Sequence, residues 1–385
     1  MAFTGNTLDD FVRILNWQHL ILKLMGMDVY AVGHRRICGT YTIVFMAVLF
    51  LIISLIDLYL FRYDLFNFSF VLVTIFYALL GVGRLFIMLC RSTDLQQLVL
   101  KMIIVYKDSS KNQQERKILR KYTNRLRQCV TLYTLLFMGG TTLAGVLPLI
   151  VYWWTGDKIL PIGVVIPFLS TDTPDGYQLN YIYQLSCMLW TPPGLIATQN
   201  FYFAMSFNIC IQYDVMTLKL QTLDKLIAKN VNGILNNDIR EELISLIQYQ
   251  QRLIKFIRDL ENVYAIQTFI EVACNAMQIG VTMFVLHIDF WIPGPMMICV
   301  STFQLFLSCM LGTLIDVKND ICIQKIYDVS WHEMPKTEQK TLQFLLAEAQ
   351  QSKTLSCGGF MPLNMNLFLT VYKKIYSIFM MLQNI

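Results

Sequence analysis

Asp57, Arg84 and Glu271 stand inside otherwise apolar stretches, and Lys373, Lys374, Ser377, Gln383 and Asn384 interrupt a run of Met, Phe and Leu near the carboxy-terminal end. An ionisable side chain in hydrocarbon is costly, so each is a candidate for ion handling, proton relay or ligand contact. Their positions favour a plainer role. Asp57 lies near the outer end of its stretch, Arg84 and Glu271 near the inner ends of theirs, so snorkelling to the interface accounts for all three, with an Arg84–Glu271 pair as the alternative. The last segment differs, because a helix carrying two lysines, a serine, a glutamine and an asparagine is too polar to face lipid on every side. It is expected to line something wet.

Other chemistry is excluded by type and spacing. The ten cysteines are scattered singly with no Cys-x-x-Cys pair, and the four histidines lie far apart, so packing is expected rather than metal or redox chemistry. No nucleophile, base and orienting group fall into a recognisable arrangement, so no enzyme and no cofactor are expected. The composition is 55% hydrophobic and only 15% charged, with a net charge of +5; a soluble domain carries about 25% charged residues. The chain reads as a polytopic membrane protein embedded in the lipid bilayer, with no nucleic-acid partner.

The elements that position these residues follow from stretches of about 20 apolar residues. Seven are expected, over residues 40–61, 67–90, 129–154, 181–212, 263–287 and 295–317, and in the C-terminal helix. Pro192 and Pro193 should kink the fourth or unwind a turn of it. Residues 91–128 hold ten basic against three acidic side chains, which makes that loop cytoplasmic. Alternation then places the N-terminus in the cytosol, residues 214–262 and 318–355 inside, and the C-terminus outside. The first twenty residues lack a basic start followed by an apolar run and do not read as a cleavable signal. Apolar residues at threes and fours from Leu218 to Ile257 predict that the fourth helix runs well beyond the membrane. The fold class is an all-α membrane protein of seven transmembrane helices with long cytoplasmic helices.

In the outer half, aromatic, small and methionine side chains converge with few hydrogen-bonding groups. They are Phe70, Phe76 and Tyr77; Gly140, Thr141, Ala144 and Gly145; Tyr183, Cys187, Trp190, Pro193 and Ala197; Met277 and Val281; and Met297. That composition suits a pocket for a small, mostly apolar ligand, and ordinary helix packing uses the same residue types.

The last sixty residues narrow the reading. Tyr327-Asp-Val-Ser-Trp331, then Ala349-Gln350, then Phe360-Met-Pro-Leu-Asn-Met-Asn-Leu-Phe368 and Lys373-Lys-Ile-Tyr-Ser377-Ile-Phe379 resemble, in order and type, the C-terminal signature of insect odorant receptors. The layout of spans resembles that family over the whole chain. The sibling gustatory receptors end in Thr-Tyr, five apolar residues and Gln-Phe; here Ile375 precedes Tyr376 and Gln383 falls one place late. The extended second cytoplasmic segment of the family's co-receptor has no counterpart between Asp214 and Asn262, which points to a ligand-tuning subunit.

The resemblance implies an odorant-gated, non-selective cation channel in the plasma membrane of sensory neurons, a heterotetramer with the odorant receptor co-receptor that responds to a small volatile odorant. Its parts would be a cytosolic segment over 1–39, transmembrane helices with an outer pocket over 40–317, an intersubunit anchor over 318–355 and a pore-lining helix over 356–385. The pore residues correspond by register to Met381, Asn384 and Ile385, which share one helix face at i, i+3 and i+4. An apolar constriction beside a polar ring is a gate that closes by dewetting. A G-protein-coupled receptor lacks support, since neither an Asp/Glu-Arg-Tyr nor an Asn-Pro-x-x-Tyr is found in the expected spans. A secondary transporter is opposed by the missing internal repeat.

Overall fold

The computed structural model describes residues 7–24, 38–156, 158–167, 169, 171, 173–230, 234–288, 293–351 and 354–383. Among these, the chain forms ten α-helices and one short hairpin. Helix α1 (Thr7–Leu24) precedes α2 (Cys38–Leu60), α3 (Leu65–Cys90), α4 (Ser92–Ser109) and α5 (Gln113–Thr155). Then come α6 (Pro174–Ala228), α7 (Asn236–Ile288), α8 (Pro293–Tyr327), α9 (Lys336–Gln350), strands β1 (Ser356–Cys357) and β2 (Met361–Pro362), and α10 (Met365–Leu382).

Side chains mark where these helices start and stop. Asp64 accepts a hydrogen bond from the Asn67 amide at the start of α3, Thr173 from Gly176 at α6 ahead of Pro174, and Asn364 from Leu367 at α10. Each cap satisfies an otherwise orphaned first-turn donor. Gly156, with φ of 80°, closes α5 in the left-handed region.

Helices α2, α3, α5, α7 and α8 each hold a stretch long and apolar enough to cross a membrane. The other two of the seven expected spans, α6 and α10, do not meet that measure among the described residues. In α6 the reason is enclosure. Residues 195–213 are all buried, Gln199, Asn200, Asn208 and Gln212 among them, so neighbouring helices rather than lipid surround this stretch. The helix runs without interruption through Pro192 and Pro193, and no turn is unwound there. At 1.5 Å per residue its 55 residues reach about 80 Å, far beyond a hydrocarbon layer of roughly 30 Å.

Around this central helix, α5 and α8 pack on α6, and α3 packs chiefly on α7. Helix α2 lies outermost against α3, exposing Phe45, Ile52, Leu55 and Tyr59 as a lipid-facing surface. Helix α1 buries Phe11, Leu15 and Leu22, with the Phe11 ring stacked on Tyr106 of α4 at 4.1 Å.

The extended ends of α6, α7 and α8 join α9. Gln250 donates to the Leu345 carbonyl (3.0 Å), and the Ser330 amide donates to Asp224 (2.9 Å). Lys318 reaches Asp214 at 2.6 Å while the Tyr122 hydroxyl donates to the same carboxylate at 2.8 Å, joining α5, α6 and α8 at one level.

Candidate functional site

The interior charges do not snorkel. Arg84 and Glu271 are 2% and 3% exposed and pair at 3.3 Å. Four helices contribute to this centre: Arg84 of α3 also donates to the Leu195 carbonyl (2.7 Å) and the Gln199 side-chain oxygen (2.5 Å) of α6. Glu271 of α7 accepts from Gln199 (3.2 Å) and from Ser308 of α8 (2.9 Å). Of the two readings open in the sequence, the ion pair is the one found. Enclosed by four helices, the two charged heads are cut off from water and must be satisfied internally.

Asp57 is likewise buried rather than interfacial. Its carboxylate accepts from the Val165 amide (2.7 Å), in the segment that follows α5. Gln184 accepts from the Ile162 amide (2.9 Å) and donates to the Val164 carbonyl (2.6 Å), and Asn180 accepts from Ile166 (2.7 Å). Three interior side chains thereby hold this segment against one end of the bundle, with Val164 fully buried and Gly163 so close to Phe70 that a Cβ would lie 2.7 Å from the ring.

Beneath that cover the sequence-predicted residues fall into contact in part. Phe70 packs with Val285, Val281 and Met297. A Cβ on Gly140 would meet Met296 at 3.2 Å and Val300 at 3.5 Å, and one on Gly145 would meet Leu185 at 3.4 Å. The Tyr181 hydroxyl donates to the Gly145 carbonyl. Ala144 and Ala197 are buried, and Phe76, Pro193 and Cys187 half-buried. The Tyr183 hydroxyl is buried beside Cys187. Thr141 spends its hydroxyl on the Phe137 carbonyl of its own helix (2.8 Å). The Tyr77 hydroxyl lies 3.4 Å from Ser301 of α8.

Trp190 and Met277 do not join this group. They are 55% and 49% exposed, because the inward faces of their helices run through Tyr181 and Gln184 on α6 and through Cys274 and Gln278 on α7.

The last helix is tied to α8 and α7 along one side only. Met365 donates from its amide to Thr313 (2.9 Å), Tyr372 bonds Thr302, and Phe368 meets Phe306 edge-on at 5.8 Å. Its other side, with Lys373, Lys374, Ser377 and Ile378, is exposed. Met381, 62% exposed, continues that side; Asn384 and Ile385 lie outside the described residues.

Sequence reasoning missed the β1–β2 hairpin that delivers the chain to α10. Gly358 and Gly359 take φ of 66° and 78°, a signal available only as the Gly-Gly pair. Ser356 binds Glu261 of α7 through its amide (3.0 Å), and Gly358 donates to the Ala265 carbonyl (3.0 Å). Nine of the ten cysteines, all but Cys38, are free thiols. Burial pushes Cys357 up to about 11, so it stays protonated.

A helical membrane bundle with a covered apolar group at one end and a one-sided last helix has the architecture of a multi-span membrane protein. A family model described as 7tm Odorant receptor matches residues 64–376, and the chain belongs to that family. Odorant receptor 30a of Drosophila melanogaster is 24% identical over 281 residues, 70% of each chain. Odorant receptor 10 of Aedes albopictus is 22% identical over 281 residues, 71% of this chain and 72% of that one. The insect olfactory receptor OR5 from Machilis hrabei, solved in complex with eugenol, superposes with a TM-score of 0.79 at 13% identity, covering 98% of this chain and 100% of that one.

Proposed function

We propose that this chain is a ligand-tuning subunit of a heteromeric, odorant-gated, non-selective cation channel, assembled with the odorant receptor co-receptor in the plasma membrane of sensory neurons. The observation that carries this reading beyond family membership is α10. Its exposed side bears Lys373, Lys374 and Ser377, which lipid does not accommodate and a central aqueous pore does. The N-terminus is cytosolic, the C-terminus extracellular, and residues 318–355 anchor one subunit to the next. Met381, Asn384 and Ile385 form the constriction and its polar ring. A small volatile odorant binds in the outer half, walled by Phe70, Tyr77, Gly140, Ala144, Gly145, Ala197, Val281 and Met297. Binding opens the pore to the extent that the open arrangement holds the odorant more tightly than the closed one.

Current recorded from cells expressing this chain with and without the co-receptor, over an odorant panel, tests the reading. Odorant-evoked cation current only in the co-expressing cells is the expected result; its absence across the panel counts against the channel. Asn384→Asp or Asn384→Lys should shift cation permeability ratios, and Met381→Ala should raise basal leak by widening the constriction. Currents indistinguishable from wild type at equal surface expression would remove α10 from the pore. For the pocket, Gly145→Trp should fill space beside Leu185 and weaken odorant sensitivity about tenfold or more while basal current persists. An unchanged dose–response curve would move the pocket elsewhere.

A further inference from the structure

Helices α7 and α8 face each other with two polar stripes: Glu271, Asn275, Gln278 and Thr282 on α7, and Ser301, Gln304 and Ser308 on α8, all buried. The Glu271–Ser308 hydrogen bond (2.9 Å) fixes how these consecutive spans align. Moving outward from it, Asn275 comes level with Gln304 and Gln278 with Ser301. Tyr77 supports that alignment, since its hydroxyl lies against both Ser301 and Gln278.

The two halves of the ladder differ. At the inner end each carboxylate oxygen of Glu271 has a hydrogen-bond partner, supplied by Arg84, Gln199 or Ser308. At the outer end Gln278 makes no hydrogen bond of proper geometry through either amide atom, and the side-chain nitrogens of Gln304 and Asn275 have none. Gln278, Gln304 and Asn275 are 1%, 2% and 1% exposed. Buried amides without partners are rare in native proteins, because each has surrendered its water. Helix packing does not call for them, since apolar residues would serve as well.

Their surroundings are amphipathic. Tyr133 donates to the Gln304 oxygen (3.0 Å), leaving the Gln304 nitrogen as a free donor. The rings of Tyr77 and Tyr133 both meet Phe137, at 6.5 and 5.8 Å. Outward along the same two helices, Val281 follows Gln278, and Met297 and Val300 precede Ser301; these pack against Phe70 and Gly140.

We infer that Gln278 and Gln304, with Tyr77 and Ser301, seat the polar group of an amphipathic odorant, so that the chain is tuned to molecules carrying a hydroxyl or carbonyl and against hydrocarbons of the same shape. The seat supplies a donor and an acceptor from Gln278 and a second donor from Gln304, which suits one hydroxyl or one carbonyl oxygen. The apolar remainder of the ligand extends outward along Val281, Val300, Met297 and Phe70. This rests on the outer half being the ligand site.

The test uses the full chain with its co-receptor, in cells for current and in lipid nanodiscs for melting. The probes are volatile alcohols, ketones and phenols, each paired with the hydrocarbon of the same carbon skeleton. Wild type should respond to, and be stabilised by, the polar member of a pair. Gln278→Leu and the closer isostere Gln278→Met, and likewise Gln304→Leu, should raise the half-maximal concentration of the polar members about tenfold, as loss of a buried hydrogen bond does, and leave the hydrocarbons unchanged or improved. If the variants weaken both members of each pair equally, or neither, the amides serve packing or structural water alone and the proposal falls. It falls as well if wild type prefers the hydrocarbons or if no polar probe shifts its melting. Should polar probes stabilise wild type but not the variants while no probe evokes current, the seat stands and the channel reading fails.

Discussion

Glu271→Leu alone is expected to destabilise the chain by about 3–5 kcal/mol, because it leaves a guanidinium buried without its counter-charge. Arg84 is 2% exposed, and its bonds to the Leu195 carbonyl and Gln199 satisfy geometry without neutralising it. Surface expression should fall steeply and melting of the purified protein should move down by many degrees. The double substitution Arg84→Met with Glu271→Leu should recover most of the loss, since an apolar pair of similar volume is often neutral or better than a buried ion pair. Thermal melting of wild type, both single variants and the double variant, read as a cycle, isolates the pair term. A Glu271→Leu variant that melts with wild type, or a double variant no better than the singles, would sink this account of the core.

Gly312→Ala should be nearly as damaging for a different reason. An added Cβ would overlap the carbonyl oxygen of Leu363 and stand 2.9 Å from its carbon. Those are backbone atoms at the entry to α10, held by Leu363 donating to the Leu355 carbonyl (2.8 Å), so they have little room to yield. Overpacking of this kind costs about 1–3 kcal/mol or more, and here it would push α10 away from α8. Gly280→Ala is the matched control, since its Cβ would meet only Ile375, at an ordinary 3.9 Å. Evoked current and melting temperature should fall for Gly312→Ala and stay near wild type for Gly280→Ala. Equal behaviour of the two variants would show that the contact at Leu363 is not tight.

The elements were legible where one physical signal dominated. Apolar length set apart α2, α3, α5, α7 and α8, and the spacing from Leu218 onward carried the fourth helix past its apolar stretch, although that helix ends at Ala228 and Leu243 and Leu246 belong to α7. The terminal Tyr-Ser-x-Phe helix pointed to the family. What the sequence could not supply is which faces meet. Arg84, Glu271 and Asp57 each sit near a span end, where burial and snorkelling look alike in one dimension. They became distinguishable only when Gln199, Ser308 and the Val165 amide were brought beside them. Trp190 was assigned inward by its type, but phase around a helix rather than type decides, and Gln184 and Tyr181 hold the inward positions of α6. The hairpin at Ser356–Pro362 carries no periodic signal, because two residues per strand are too few for one.

The enclosure of α6 bears on how the chain is made. A segment holding Gln199, Asn200, Asn208 and Gln212 within its buried stretch gains little from partitioning alone out of the insertion machinery into lipid. It becomes a stable span only when α5 is already beside it and α7 and α8 arrive to close over its polar side chains. Biogenesis of this bundle is therefore a collective event: α2 and α3 can enter the bilayer on their own hydropathy, while the centre of the molecule must wait, shielded, for helices not yet synthesised.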